Sequence, residues 1–86
     1  MEIIGTIWIN YKQLNYLMLH NEQIKNGDFY STGNISGDGW IELYVSKDWL
    51  EKIMYFMNQI RESCWTREIK RLIQDYIDDF IKEGVW

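Results

Sequence analysis

Residues 28–46 read DFYSTGNISGDGWIELYVS. Two β-prone runs, 28–35 and 40–46, flank Ser36-Gly37-Asp38-Gly39, a glycine-rich turn of the hairpin kind. In the second run Ile41, Leu43 and Val45 alternate with Trp40, Glu42 and Tyr44. Successive side chains of a strand point to opposite faces, so one face here is apolar and the other mixed. An antiparallel strand covered on one side and wet on the other has this pattern.

Toward the N-terminus, Ile3 to Ile9 is rich in β-branched residues. Ile3, Gly5, Ile7 and Ile9 share one face, and Ile4, Thr6 and Trp8 the other. Both faces are apolar, which predicts a central strand covered on two sides. Asn10 then stands as an N-cap with Gln13 three residues on, the capping-box spacing. Leu14, Leu17, Met18 and Ile24 fall near one helical face, predicting a helix over 11–25 that stops at Asn26-Gly27, two residues that tolerate positive φ. The run Leu14 to Leu19 is also compatible with a strand.

The last forty residues have helical periodicity. Ser46 or Asp48 caps the start, Asp48 having capping-box spacing with Glu51. Leu50, Ile53, Met54, Met57, Ile60 and Cys64 make one stripe. Ile69, Leu72, Ile73, Tyr76, Ile77, Phe80 and Ile81 make a second. At about 100° per residue the two stripes lie roughly 180° apart on a straight helix. A break near Ser63 to Thr66, with Thr66 capping the second helix, resolves the conflict. The alternative is one long helix whose second half packs on another subunit. Gly84 ends the last helix, with Val85 placed to touch Phe80 as in a Schellman stop. The expected fold is α+β in the order β-α-β-β-α-α: a small, three-stranded, mainly antiparallel sheet packed by helices.

A chain of 86 residues without internal repeats is one domain spanning 1–86. At this size only about 60–65% of the unfolded surface is buried, enough for one core but not for an elaborate internal active site. Five Trp, six Tyr and three Phe are more rings than such a core hides, so some belong at the surface, where Trp and Tyr favour interfaces. The competing explanation is a thin core with wet ring edges. A net charge of −4 opposes wrapping nucleic acid and suits a partner with a basic surface. One cysteine excludes an intramolecular disulfide and fits the cytoplasm. The opening MEIIGTIWIN does not read as a signal peptide, and no run is apolar for long enough to span a bilayer, so no membrane role is expected.

Reactive groups are few. With one His and one Cys, no zinc site is expected, and no cofactor motif occurs. A Cys64–His20 dyad has no flanking motif; Cys64 reads as a small hydrophobe of its stripe and His20 as a polar-face helix residue. The segment Gly33 to Gly39 lacks the Gly-Lys-Ser/Thr of a P-loop and the following helix of a dinucleotide fingerprint. Asp38 and Glu42 lack EF-hand spacing. Hairpin geometry accounts for the glycines. The remaining possibility is a backbone-amide site for an anionic ligand at Gly37, Asp38 and Gly39, with Trp40 and Tyr44 as pocket walls.

Asp75, Asp78, Asp79 and Glu83 share the polar side of the last helix. A solvated face commonly looks like this. Yet like charges three and four residues apart cost a few tenths of a kcal/mol each, and acids at a helix C-terminus oppose the macrodipole. Lys82, paired with Asp78, offsets part of this. Arg67, Lys70 and Arg71 are likewise the wrong sign for a helix start. Such reversal often marks a partner-facing surface. Arg61, Trp65, Arg67, Lys70 and Arg71 form a basic patch suited to single strands, but Glu62, Glu68 and the net charge oppose direct nucleic-acid binding.

No family motif is present. In style the chain is short, acidic and rich in Asn, Ile, Lys and Tyr, and it resembles phage-encoded inhibitors of bacterial defence, anti-CRISPR and anti-restriction proteins among them. The leading expectation is a non-catalytic, stoichiometric inhibitor of a basic nucleic-acid-handling protein in a host cytoplasm. It would bind through Asp75, Asp78, Asp79 and Glu83 with Tyr76 or Trp86 as anchor. The alternatives are a homo-oligomer sequestering a nucleotide-like ligand and a regulatory or immunity-type partner subunit.

Overall fold

The computed structural model describes residues 2–86. The chain runs β1 (Ile3–Asn10), α1 (Tyr11–His20), α2 (Glu22–Lys25), β2 (Phe29–Ile35), β3 (Trp40–Ser46), α3 (Lys47–Gln59) and α4 (Cys64–Lys82). The class is α+β, and the strands form one sheet in the order β1-β3-β2, antiparallel throughout.

The hairpin partner β3 is the central strand, and β1 lies at an edge. This corrects the expectation for Ile3 to Ile9 on both counts: β1 has one ladder neighbour, and its Thr6 and Trp8 stand on the face that no helix covers. Apolar side chains on both faces of a strand therefore report neither its ladder neighbours nor a cover on each side. On β1, Ile7 and Ile9 are fully buried on the inner face, beside Leu43 and Val45 of β3. The helices pack on that face, and strands and helices contribute to one hydrophobic core cluster. The edge of β1 is closed by α4: the backbone N–H of Trp8 donates to the Tyr76 hydroxyl at 2.9 Å. Close packing at the same place requires Gly5, where a Cβ would lie 2.6 Å from Phe80 Cε1.

The Asn10–Gln13 capping box forms as the spacing implies. The helix expected over 11–25 is instead two, because Asn21 is extended (φ −152°, ψ 111°) and its Oδ1 accepts the N–H groups of Gln23 and Ile24. Neither Asn26 nor Gly27 takes a positive φ. Gly27 serves space: an added Cβ there would overlap Trp49 Cδ1. Trp49 is fully buried, stacks on Phe29 and donates its Nε1–H to the Ile24 carbonyl at 2.9 Å.

Ser46 caps α3, its hydroxyl accepting the Trp49 N–H, while Asp48 in the first turn pairs with Lys52 one turn on. The long helical region breaks at Ile60–Ser63. Leu50, Ile53 and Met57 of α3 and Ile69, Ile73, Ile77 and Phe80 of α4 can then all turn inward. The cap is Ser63 and not Thr66; Thr66 completes the box from the third helical position, taking the Ser63 N–H at 2.8 Å. The helix ends as a Schellman motif, with Gly84 at φ +75°, the Val85 N–H on the Phe80 carbonyl and the Gly84 N–H on that of Ile81. No helix among the described residues is long and apolar enough to cross a membrane.

Candidate functional site

Three of the four acids lie on α4 and the fourth, Glu83, is its C-cap. Asp75, Asp78, Asp79 and Glu83 are all exposed. The ion pairs among the described residues are Lys52–Asp48 and Arg67–Glu62, so none of the four acids is neutralised. The expected Lys82–Asp78 pair is replaced by a hydrogen bond from Gln74 Nε2 to Asp78 Oδ1 at 3.0 Å, a neutral donor one turn earlier.

The two anchors proposed beside these acids are engaged internally. Tyr76 is half-buried with its hydroxyl on β1. Trp86 packs against the core, with Lys47 Nζ 5.2 Å from its ring centroid and bonded to its carbonyl. The apolar side chains that do project near the acids are Ile81, 53% exposed, and Val85. Around Trp86 lies an open groove of about 540 Å³ that includes Glu2, Asp28, Lys47, Asp48 and Glu51.

Gly37, Asp38 and Gly39 sit at the hairpin tip, tied to the start of α1 by Tyr11 N–H on the Gly39 carbonyl and Asn10 Nδ2 on that of Asp38. The amides of Gly39 and Trp40 are taken by the Ser36 carbonyl and hydroxyl, so they are not presented to an anion. In the basic patch, Arg67 is held by Glu62 and the Trp65 ring meets Tyr16 edge-on. His20 ends α1, exposed, with its ring 4.6 Å from that of Tyr16. Cys64 is exposed at the first position of α4 and does not belong to the apolar stripe, which stops where the chain leaves the helix at Ile60. No hydrogen bond joins His20 to Cys64 among the described residues, and no group of three or more His, Cys, Asp or Glu residues there could hold a metal ion.

The surface that sequence reasoning did not assemble is the outer face of the sheet. Alternation puts Thr6 and Trp8 of β1, Trp40, Glu42 and Tyr44 of β3, and Tyr30 of β2 on the side away from the helices. Thr32 and Asn34 lie where the β2 register shifts, between Ser31 and Ile35, and their bonds to Glu42 bring them to the same face. Trp8 pairs directly with Glu42, Asn10 with Trp40, and Tyr44 with both Thr6 and Tyr30. Tyr30 is 53% and Tyr44 45% exposed. Trp8 and Trp40 are half-buried, yet neither packs against the core. Glu42 stands at the centre. Its Oε1 accepts Asn34 Nδ2 at 2.9 Å and Thr32 Oγ1 at 3.0 Å. Those two bonds, Asn34 first, hold the carboxyl below its ordinary pKa. Trp40, Glu42 and Tyr44 were already grouped by the alternation of 40–46; the contributions of β1 and β2 required the register.

Against protein-family models the chain finds no match. The same holds against characterised proteins and against solved structures.

Proposed function

We propose that this chain is a non-catalytic binding protein, a small acidic inhibitor that occupies one to one the basic surface of a nucleic-acid-handling protein. The supporting observation is the unneutralised row Asp75, Asp78, Asp79 and Glu83, all exposed along a helix and its C-cap and held at the two ends by a capping box and a Schellman stop. Like charges crowded against the negative end of a helix dipole cost free energy in the isolated protein. An opposing basic surface removes that cost and gains from complementarity. Ile81 and Val85 supply apolar contact beside the acids. The style of anti-defence proteins agrees with this reading. A nucleotide-sequestering oligomer and a regulatory subunit have no observation of comparable weight behind them.

The test is capture of a partner from bacterial lysate at low and at physiological salt, using wild type and the triple variant D75K/D78K/D79K. The reading expects a basic partner whose association weakens as salt rises, and a loss of about tenfold or more in the variant. Binding that ignores both salt and charge reversal would sink the α4 surface.

A further inference from the structure

We propose that the outer face of the sheet is a second docking site, in which Glu42, Trp8, Trp40 and Tyr44 seat an arginine side chain presented by a basic protein partner. The proposal rests on the basic-partner reading for the sign of the partner, and it uses residues separate from the α4 acids.

The geometry is that of a carboxylate set among rings. Trp8 lies directly across from Glu42 in the β1–β3 ladder, so their Cβ atoms are about 4.5–5.5 Å apart. Trp40 and Tyr44 precede and follow Glu42 by two residues on β3, about 7 Å away on the same face. Thr32 and Asn34 hold Oε1 from the remaining side. The carboxylate is thus pinned by neutral donors, its position fixed and its charge intact. Oε2 is left to an incoming donor, shared at most with Thr6. No Lys or Arg occupies this face among the described residues, and Glu42 belongs to neither ion pair.

Such a site selects among cations. A guanidinium is planar, stacks on aromatic faces and forks onto a carboxylate. An ammonium offers a point charge that is more strongly hydrated. The rings here stand on an open, twisted sheet, a platform for a flat group.

Other occupants fit less well. A second copy docked face to face about a two-fold axis would bring Glu42 toward Glu42 with no cation between them. Single-stranded nucleic acid stacks on aromatic sheet faces, but those platforms carry cations for the phosphates, whereas this one carries a carboxylate.

The experiment follows the indole Nε1–H signals of the five Trp residues by ¹H–¹⁵N NMR. The 86-residue chain is titrated to millimolar concentration with acetyl-Gly-Arg-Gly-Arg-Gly-amide, then with the citrulline and lysine versions, and separately with oligo-uridine. We expect the arginine peptide to shift Trp8 and Trp40 and leave the buried Trp49 in place. The neutral citrulline peptide leaves all of them in place, and the lysine peptide binds more weakly than arginine. E42Q keeps the spectrum of the fold and weakens the arginine peptide by about tenfold. In D75K/D78K/D79K the Trp8 and Trp40 shifts persist, so a failure of the α4 reading is distinguishable. Shifts confined to the α4 amides overturn this proposal and leave the first standing. Absence of any shift with arginine overturns it, as does a response to oligo-uridine or to the chain's own concentration in its place.

Discussion

The hydroxyl of Tyr76 accepts the backbone N–H of Trp8 at 2.9 Å, across 68 residues of chain. That N–H faces away from β3, on the open side of an edge strand. Exposed strand edges recruit other strands unless they are covered. Here one phenol covers the edge, brings α4 alongside β1 and fixes the strand that carries the Trp8 ring on the outer face. The same bond directs toward β1 the hydroxyl of a residue that helical periodicity alone placed beside the acids as a free anchor.

Replacing Tyr76 with Phe removes the acceptor and keeps the ring. A net loss of about 0.5–1.5 kcal/mol is expected in denaturant unfolding. The specific signature is local: the Trp8 amide exchanges faster with deuterium while the Leu43 amide on the central strand keeps its protection relative to global stability. A Trp8 amide with unaltered protection would show that the bond contributes nothing in solution.

Two glycines separate a requirement for space from ordinary hairpin composition. At Gly27 an added Cβ meets the Trp49 ring, which cannot retreat because it is bonded to Ile24 and stacked on Phe29. Gly27→Ala is expected to cost about 1–3 kcal/mol. Gly37 is exposed at the hairpin tip, has no positive φ, and an added Cβ meets nothing within 4 Å. Gly37→Ala is expected to change stability by less than about 0.5 kcal/mol. Equal losses at the two positions would contradict the packing around Trp49.

Much of the fold was legible because its signals are local. Ile41, Leu43 and Val45 against Trp40, Glu42 and Tyr44 gave β3 its two faces, and the opposed stripes of 50–60 and 69–81 required a break between helices. The edge position of β1 was not legible, since apolar content says nothing of ladder neighbours, and Trp8 counted toward a covered face although it stands on the open one. Asn21 was missed as a cap because it lies inside a continuing apolar pattern, where only its extended backbone distinguishes it. Ser63 and Thr66 cap one another, so the pair was visible and its direction was not. The acids of α4 followed from helical spacing alone. The outer face did not, because Glu42 becomes a centre only when Trp8 of β1 pairs across from it and an irregular stretch of β2 delivers both Thr32 and Asn34 to its carboxylate.

The start of α4 gives a test of capping. Its first turn contains no acidic residue, so the Ser63 hydroxyl and its reciprocal bond with Thr66 satisfy the helix N-terminus without help from charge. Ser63→Ala should cost about 1 kcal/mol, within a range of about 0.5–2. Ser63→Asp retains an acceptor and adds a negative charge at the positive end of the dipole, near Arg67. It should match or exceed wild type by about 0.3–1 kcal/mol at low salt, with the gain shrinking as salt is added. Thermal or denaturant unfolding of both variants checks the pair. An alanine variant as stable as wild type would remove the box from the account.

Glu42 gives the pH test. Hydrogen bonds from Asn34 and Thr32 favour its charged form, so its pKa in the folded chain lies below that of the unfolded chain, about 4.3 for an unperturbed Glu. The folded state therefore binds the proton less readily than the unfolded state. The stabilising contribution is fully present above the unfolded value and is lost as pH falls through the folded one. A carboxyl ¹³C titration should find Glu42 with a midpoint below the ordinary Glu value. Asn34→Ala should raise it more than Thr32→Ala does, in the order of their contributions. The arginine-peptide signal at Trp8 should fade over the same acidic window, because protonation removes the charge that the guanidinium meets. A peptide response that outlasts protonation of Glu42 would assign the recognition to the rings alone.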